Sequence, residues 1–423
     1  MVQLNRTSAG YDILTDECRI SILGSDGIVD EFFRAIDVHA ATEIILTSIR
    51  HAGYRDVTLV LRIVGSTSGM HSFRNLVRYQ IRKKPDEPMT RRRNCTMASV
   101  SSTQHLSAPC TVNVFFVDVF RFWMCGWYND LLHEYGSMNA VTEEALLTEL
   151  ETHFQRVYRE KLARTLAHEI THLWHLKRSR ALQMHARFKR KLQKMSPEDT
   201  YGGGMTTVDR MYRRVTNHGS DGLDAVEDID RSLHELLATY IWIRKRFMQF
   251  SEMLCYEGMA VFMEAYLTGT YHFPPLFDRA AEESIKLQRD FELFLHDFEI
   301  YATTVHDMKA AVSRGQDPAQ VARSQGRFGQ SSFNHIKRFM EDLKHAPYII
   351  GPLLPATLYA RGGYSIEQIG VMNPRELINT YVKICRSRHE FPLVTLRTGD
   401  SGHFPIGKNT GRLNKLRKKL SIS

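Results

Sequence analysis

The stretch TLAHEITHLWH, from Thr165 to His175, carries two histidines four positions apart and a glutamate directly after the first. It lies in a longer segment of helical periodicity that begins near Thr142. An apolar stripe runs through this part of the segment, formed by Leu162, Leu166, Ile170 and Leu173. Residues four apart lie on one face of an α-helix, one turn above the other. The stretch therefore predicts a helix that is anchored by its apolar stripe and presents both histidines from its other side.

His168 and His172 have the spacing needed to offer two imidazoles to a single metal ion. Zinc binds neutral imidazole nitrogen at about 2.0–2.1 Å, and catalytic zinc sites combine three protein ligands with a water molecule. Glu169 is placed beside the two histidines, where its carboxylate can take a proton from that water. The H-E-x-x-H pattern thus predicts one Zn²⁺ ion, His168 and His172 as two of its ligands, and Glu169 as a catalytic general base.

A third ligand is required, and two residues are candidates. His175 lies one turn beyond His172, but three ligands on consecutive turns of one straight helix fit a tetrahedral ion poorly. We therefore expect His175 to lie behind the ligands or on the surface. Glu257 lies in the largely apolar helical segment SEMLCYEGMAVFMEAY, Ser251 to Tyr266. Burying an unpaired carboxylate is costly, so a metal ion would be a suitable partner; a glutamate at the solvent edge is the alternative.

An H-E-x-x-H motif followed by a later helix of the form E-G-x-A-x-x-x-E resembles the gluzincin zinc metallopeptidases, in particular the aminopeptidase-N-like group. The matching residues are His168, Glu169, His172, Glu257, Gly258, Ala260 and Glu264. The resemblance implies zinc ligation by His168, His172 and Glu257, with Glu169 as the general base. Glu264, two turns after Glu257, is implied to lie behind the ligands and to orient one of the histidines. The resemblance covers roughly residues 111–380.

The segment HAPYIIGPLLPATLYARGGYSIEQI, His345 to Ile369, resembles the gluzincin Y-x-x-G helix, whose tyrosine hydroxyl stabilises the oxyanion of the tetrahedral intermediate; Tyr348 and Gly351 are the matching residues. The resemblance implies this catalytic role for Tyr348, and His345 is a second candidate for it, outside the ligand set. A tyrosine of the core is the alternative.

Two features depart from the family pattern. His172 and Glu257 are 257 − 172 = 85 residues apart, much farther than in the simplest gluzincins. The G-x-M-E-N motif with which the aminopeptidase-N group holds the substrate amine is absent from the sequence. An endopeptidase is therefore favoured over an aminopeptidase.

The sequence predicts an α+β fold, with a zincin-like mixed sheet and an active-site helix followed by a mostly α-helical C-terminal part. We expect an α/β region in residues 1–176 that ends in the zinc-binding helix, and a basic insertion in residues 177–230. A helical region with the third ligand is expected in residues 231–386, and a basic tail in residues 387–423.

Within the first region, Val29–Gly53 is predicted to be helical and Val57–Gly65 to be a strand. The Ser/Thr/Arg-rich stretch from there to about Ser107 is expected to be an irregular loop. Thr111–Phe120, TVNVFFVDVF, is predicted to be a second strand, rich in β-branched and aromatic residues. This strand is interpreted either as an edge strand that pairs with extended substrate or as a plain core strand.

The composition, 43% hydrophobic and 24% charged over 423 residues, is typical of a globular protein. No stretch approaches the roughly 20 apolar residues of a membrane helix, and the first residues lack the pattern of a secretory signal. The six cysteines are scattered without a C-x-x-C pair, which speaks against a zinc ribbon or a disulfide scaffold. A cytoplasmic location is therefore expected.

The net charge of +9 is partly concentrated in three basic segments. They are Ile81–Arg93, Leu176–Lys194 and Arg412–Leu420. We interpret them as solvated faces or as surfaces for an anionic partner, such as an acidic peptide, nucleic acid or a membrane surface. The sequence leaves the oligomeric state open.

The leading functional prediction is hydrolysis of peptide bonds in a peptide or protein substrate. One alternative is a basic, nucleic-acid-associated protein with a regulatory metal site, although no helix-turn-helix or zinc-ribbon signature supports it. The other is an inactive gluzincin relative that serves as a binding module. Retention of Glu169 speaks against inactivity, because an inactive relative has no need of the general base.

Overall fold

The computed structural model describes residues 3–7, 10–14, 18–25, 27–36, 38–51, 57–90, 95–100, 110–138, 142–178, 226–316, 330–396, 404–406, 411–412 and 414–415. The chain divides into two compact units. The first comprises Met1–Arg178 with Met263–Tyr271, and the second Ser179–Phe262 with His272–Ser423. The predicted α+β class is confirmed, whereas the zincin-like character of the sheet stays a prediction. The predicted insertion 177–230 lies, apart from its ends, outside the described residues, and so does most of the basic segment 412–420.

A six-stranded mixed sheet belongs to the first unit and has the order β1-β2-β3-β4-β6-β5. Its strands are β1 (Gln3–Thr7), β2 (Gly10–Leu14), β3 (Cys18–Leu23), β4 (Val57–Ile63), β5 (Ala98–Val100) and β6 (Cys110–Val114). The pairs β3–β4 and β4–β6 are parallel, and the other pairs are antiparallel. Alternate residues of β4 and β6 point into the core and are almost fully buried, as strands covered by helices require.

Five helices of the first unit accompany this sheet. They are α1 (Ile28–Ala35), α2 (Val38–His51), α3 (Thr67–Lys83), α4 (Phe116–Tyr135) and α5 (Glu143–Arg178). The predicted single helix Val29–Gly53 is two helices, because Ile36 takes an extended conformation (φ −120°, ψ 160°) between them. Helix α5, which carries the H-E-x-x-H motif, contacts the other four helices as well as β5 and β6. It is therefore fixed from several sides.

The prediction of an irregular loop between β4 and about Ser107 is wrong over Thr67–Lys83, where the chain forms α3. Helix α3 packs against the core through four buried apolar residues at helical spacing: Met70, Phe73, Val77 and Ile81. Their stripe is narrow, and the polar residues around it mask the helical period in the sequence. Ion pairing adds to the packing, since Arg74 Nε lies 2.6 Å from Glu151 Oε1 of α5.

The predicted strand Thr111–Phe120 is wrong in its second half, because β6 ends at Val114 and α4 begins at Phe116. The hydrogen bonds between the β6 and β5 segments end where the Phe115 N–H donates to the Met97 carbonyl oxygen at 2.9 Å. The aromatic and β-branched residues that follow favour strand by propensity, but tertiary burial overrides that preference. Since β6 pairs with a strand on either side, it is a core strand; the position at the end of the sheet belongs to β5.

The second unit is built mainly from helices. They are α6 (Val226–Leu267), whose last residues from Met263 belong to the first unit, α7 (Phe273–Ser313), α8 (Gln330–Ile350), α9 (Leu353–Gly362), α10 (Ile366–Val371) and α11 (Pro374–Ser387). Two short strands, β7 (Val394–Thr395) and β8 (Phe404–Pro405), pair in parallel. Helix α7 packs along α8 around a buried group of aromatic rings, which includes Phe247, Phe291, Phe294 and Phe339. No helix in the described ranges is both long and apolar enough to cross a membrane.

Candidate metal centre

Helix α5 brings the imidazoles of His168 and His172 together. Their Nε2 atoms are 3.0 Å apart, and the two rings are perpendicular with centroids 4.6 Å apart. Two nitrogens bound at about 2.0–2.1 Å to one tetrahedral ion would be separated by about 3.3 Å. The observed separation is therefore close to that of two ligands on one ion, as the four-residue spacing predicts. On the opposite side of the helix, Leu162, Leu166 and Ile170 are buried, whereas Leu173 is only partly so.

Glu257, on α6, completes a group of three potential ligands. One donor atom each from His168, His172 and Glu257 lies within 4.8 Å of the other two. His172 and Glu257 are 5% and 6% exposed, so their polar atoms are largely shielded from bulk water. Two imidazole nitrogens and one carboxylate oxygen are a donor set that zinc accepts.

Glu264 lies two turns after Glu257 on α6 and is placed beside His168, one of the predicted ligands. Its Oε2 is 3.7 Å from Nδ1 of His168, the ring nitrogen that does not face His172. This distance is longer than a hydrogen bond. A carboxylate beside Nδ1 favours the proton on that nitrogen, which leaves the Nε2 lone pair available to a metal.

The carboxylate of Glu169 is held by the backbone of β5. The N–H of Val100 donates to its Oε2 at 3.0 Å, so the strand at the end of the sheet orients the carboxylate beside His168. The sequence alone did not predict Val100 as this partner. A strand of only three residues within a Ser/Thr-rich stretch has no recognisable period, and no local signal could have identified Val100.

The glycines of the two later motifs meet in the second unit. A Cβ placed on Gly258 would lie 2.3 Å from the carbonyl carbon of Gly351, and one placed on Gly351 would lie 2.8 Å from the Cα of Gly258. Only glycine allows such an approach of two backbones. The residue after Glu257 is thereby packed against the turn that follows Tyr348.

Two side chains of the Y-x-x-G segment, His345 and Tyr348, are exposed. Tyr348, near the end of α8, is 41% exposed, so the alternative of a core tyrosine is wrong. His345 is also exposed, and it is outside the three-ligand group among the described residues. The catalytic role of Tyr348 stays a prediction.

His175 is buried, with 1% of its surface exposed, so the expectation of a surface residue is wrong. Burial, with the neighbouring His172 as a second cause, lowers the pKa of His175 to about 3. This imidazole is therefore neutral at pH 7 and lies outside the three-ligand group. The other expectation, a residue that lies behind the ligands, stays a prediction.

Comparisons with known proteins give no family to which the chain belongs. No protein-family model, no curated protein and no solved structure matches it. The resemblance to gluzincins consequently rests on the motifs and on the placement of their residues.

Proposed function

We propose that the protein is a zinc-dependent metallopeptidase of gluzincin type that cleaves peptide bonds within peptide or protein substrates. The observation that supports this most is the convergence of His168, His172 and Glu257, with the carboxylate of Glu169 next in sequence to a ligand. Two imidazoles from adjacent helical turns and a buried carboxylate from a helix 85 residues later (257 − 172 = 85) form a donor set suited to a catalytic divalent cation.

A zinc ion held by these residues would supply Lewis acidity and lower the pKa of a water molecule towards neutrality. Glu169 takes one proton from the attacking water and passes it to the departing amine nitrogen as the C–N bond breaks. The hydroxyl of that water is retained on the carbonyl carbon, so the products are a carboxylate and an amine. The Val100 N–H keeps one oxygen of Glu169 in place, which leaves the carboxylate pre-oriented for this transfer.

Tyr348 is proposed as a hydrogen-bond donor to the oxyanion. The support is its exposure and the packing of Gly351 against Gly258, which brings its turn beside the residue that follows Glu257. Cleavage within chains, rather than of single amino-terminal residues, is proposed because the sequence lacks the amine-holding motif. Zinc as the native metal and a cytoplasmic location are parts of the same proposal.

The decisive experiment is a Glu169→Gln substitution in the purified full-length chain. We expect the variant to bind zinc in the same stoichiometry as the wild type and to lose at least about a hundredfold in kcat for peptide cleavage, since general-base catalysis contributes roughly 10²–10⁴. Glu160→Gln is the matched control, because Glu160 is an exposed residue of the same helix that pairs only with Arg164 in the described structure.

A Glu169→Gln variant that cleaves at the wild-type rate would show that the base assignment is wrong. If zinc-loaded wild type cleaves no peptide but binds DNA with a steep, chelator-insensitive salt dependence, the nucleic-acid alternative replaces the proposal.

A further inference from the structure

A cavity of about 960 Å³ lies in the first unit, within the size range of pockets that hold small ligands. Its walls come from α3, from α4 and from the chain segment that leads into β5. The residues that matter for its chemistry are Phe73, Leu76, Ser99, Phe115, Arg121 and Phe122. We call this cavity the β5 groove.

The β5 groove is separated from the partner of the Glu169 carboxylate by only one peptide unit of β5. Ser99 lines the groove, and the next residue, Val100, donates its N–H to Glu169 at 3.0 Å. Neighbouring Cα atoms are about 3.8 Å apart, and an extended chain advances about 3.3 Å per residue. A peptide lying beside β5 with its reacting carbonyl near Glu169 would thus have a neighbouring side chain within reach of the groove.

The lining of the groove combines polar residues with a set of apolar and aromatic ones, Phe73, Leu76, Phe115 and Phe122. Leu76 is 49% exposed, although a large aliphatic side chain gains from being covered. Phe115 and Phe122 are partly exposed at the same groove. Such a surface fits a bulky apolar side chain.

Arg121 gives the groove a hydrogen-bond donor. Its guanidinium lies over the ring of Phe73 at 5.9 Å and donates to the Gly69 carbonyl oxygen at 3.2 Å. Its Nε is buried and has no hydrogen-bond partner within the described residues. Buried N–H groups are normally paired; because this Nε exposes less than 1 Å², the side chain of Arg121 must shift before the atom can donate to an acceptor in the groove. Asp118, one turn earlier on α4, also lines the groove and disfavours an anionic ligand, which leaves a neutral peptide carbonyl as the acceptor of choice.

We propose that the β5 groove is the side-chain subsite of the peptidase and accepts a bulky apolar residue, aromatic or large aliphatic, of an extended substrate. The inference rests on the proposed function, because it assigns the substrate class of that same catalytic site. It names Leu76 and Phe122 as specificity-determining residues and Arg121 as the donor to the substrate backbone.

The first test measures binding without hydrolysis. Zinc-loaded Glu169→Gln protein is titrated with two capped pentapeptides, Ac-Ala-Ala-Phe-Ala-Ala-amide and its all-alanine counterpart, while alkylation of Cys95 by iodoacetamide is followed by mass spectrometry. Cys95 lines the groove and is partly exposed. We expect the phenylalanine peptide to slow alkylation of Cys95 at concentrations roughly tenfold or more below those at which the alanine peptide does so.

The second test uses a matched pair of variants on α3. Leu76→Glu places a charge in the apolar groove and should weaken binding of the phenylalanine peptide at least about tenfold, with little effect on the alanine peptide. Tyr79→Glu changes a residue that is 54% exposed one turn later and does not line the groove, so it should leave both peptides unchanged. Both side chains are on the surface, so neither change should prevent folding.

Outcomes for the subsite and for the proposed function are separable. Cleavage of both peptides by the unsubstituted enzyme with equal kcat/KM, together with equal alkylation of Cys95, overturns the subsite and leaves the peptidase standing. Failure of zinc-loaded enzyme to cleave either peptide overturns the peptidase instead. The Cys95 measurement does not require hydrolysis and reports on the β5 groove by itself.

Discussion

Replacing Glu257 with glutamine removes one negative charge from the three-ligand group while nearly keeping the shape of the side chain. Glu257 is 6% exposed, and one of its carboxylate oxygens lies within 4.8 Å of donor atoms of His168 and His172. In the metal-bound protein the change removes an anionic ligand. In the metal-free protein it replaces a buried carboxylate by a neutral amide, which relieves a desolvation cost. The substitution should therefore act in opposite directions in the two states.

The size of the effect follows from the number of ligands. Apparent binding free energies of zinc to protein sites are roughly 10–16 kcal/mol at pH 7. If the three ligands contribute equally to a zinc binding free energy of about 10 kcal/mol, each contributes about 3 kcal/mol. Because Glu257 is the anionic ligand, its loss should cost up to about 4 kcal/mol, which raises the Kd for zinc roughly 10²–10³-fold. At a zinc concentration about 1,000 times the wild-type Kd, bound metal stabilises the fold by about 4 kcal/mol. With a Kd about 1,000-fold weaker, this stabilisation falls to about 0.4 kcal/mol.

The assay combines metal analysis, competition with a zinc-chelating indicator, and thermal unfolding with and without zinc. We expect wild type to bind one zinc ion and gain stability from it, and Glu257→Gln to lose most of that gain without being less stable in the metal-free form. Glu252→Gln is the control, since Glu252 lies five residues earlier on the same helix and outside the three-ligand group. Burial raises the pKa of Glu252 to about 6, so a neutral amide should be tolerated there.

Unchanged zinc affinity and stoichiometry in Glu257→Gln would refute the convergence of these three residues on one ion. A variant that is destabilised equally with and without zinc would instead point to a structural role of the carboxylate. In that case the third ligand, and with it the gluzincin assignment, would be wrong.

Three other perturbations test separate parts of the structure. Tyr348→Phe should keep zinc affinity within about twofold and lower kcat roughly a hundredfold; equal kcat values would remove the tyrosine from the mechanism. Gly258→Ala should lower the free energy of unfolding, measured in urea, by about 1–3 kcal/mol or more, because its Cβ would lie 2.3 Å from the backbone of Gly351. Gly411→Ala, where a Cβ meets nothing within 4 Å, should have no effect, and equal stabilities of the two variants would contradict the close approach. Burial raises the pKa of Asp342 from 3.8 to about 6, so the native state binds the proton of this carboxyl more tightly than the unfolded state does. The stability gained from this proton is present at low pH and is lost as the pH rises from about 4 to 6. Asp342→Asn should flatten the dependence of urea stability on pH in this window, and an unaltered slope would contradict the shifted pKa.

The local part of the site could be predicted from the sequence. The helical period around Thr165–His175 is a property of neighbouring residues, so it predicted the helix, its buried stripe and the convergence of two imidazoles. The helical character of the segment around Glu257 and its apolar neighbours were visible in the same way. Because the side-chain geometry of a regular helix is set by the backbone, the relative placement of His168 and His172 needed no tertiary information.

The tertiary structure decided which distant groups meet. The carboxylate of Glu257 lies near the histidines, Val100 binds Glu169, and the chain after Val114 turns into a helix although its composition favours a strand. None of these follows from periodicity. Contacts across many residues depend on how whole elements pack and on which backbone groups remain to be paired, and a pattern of 3.6 or 2 residues contains no such information.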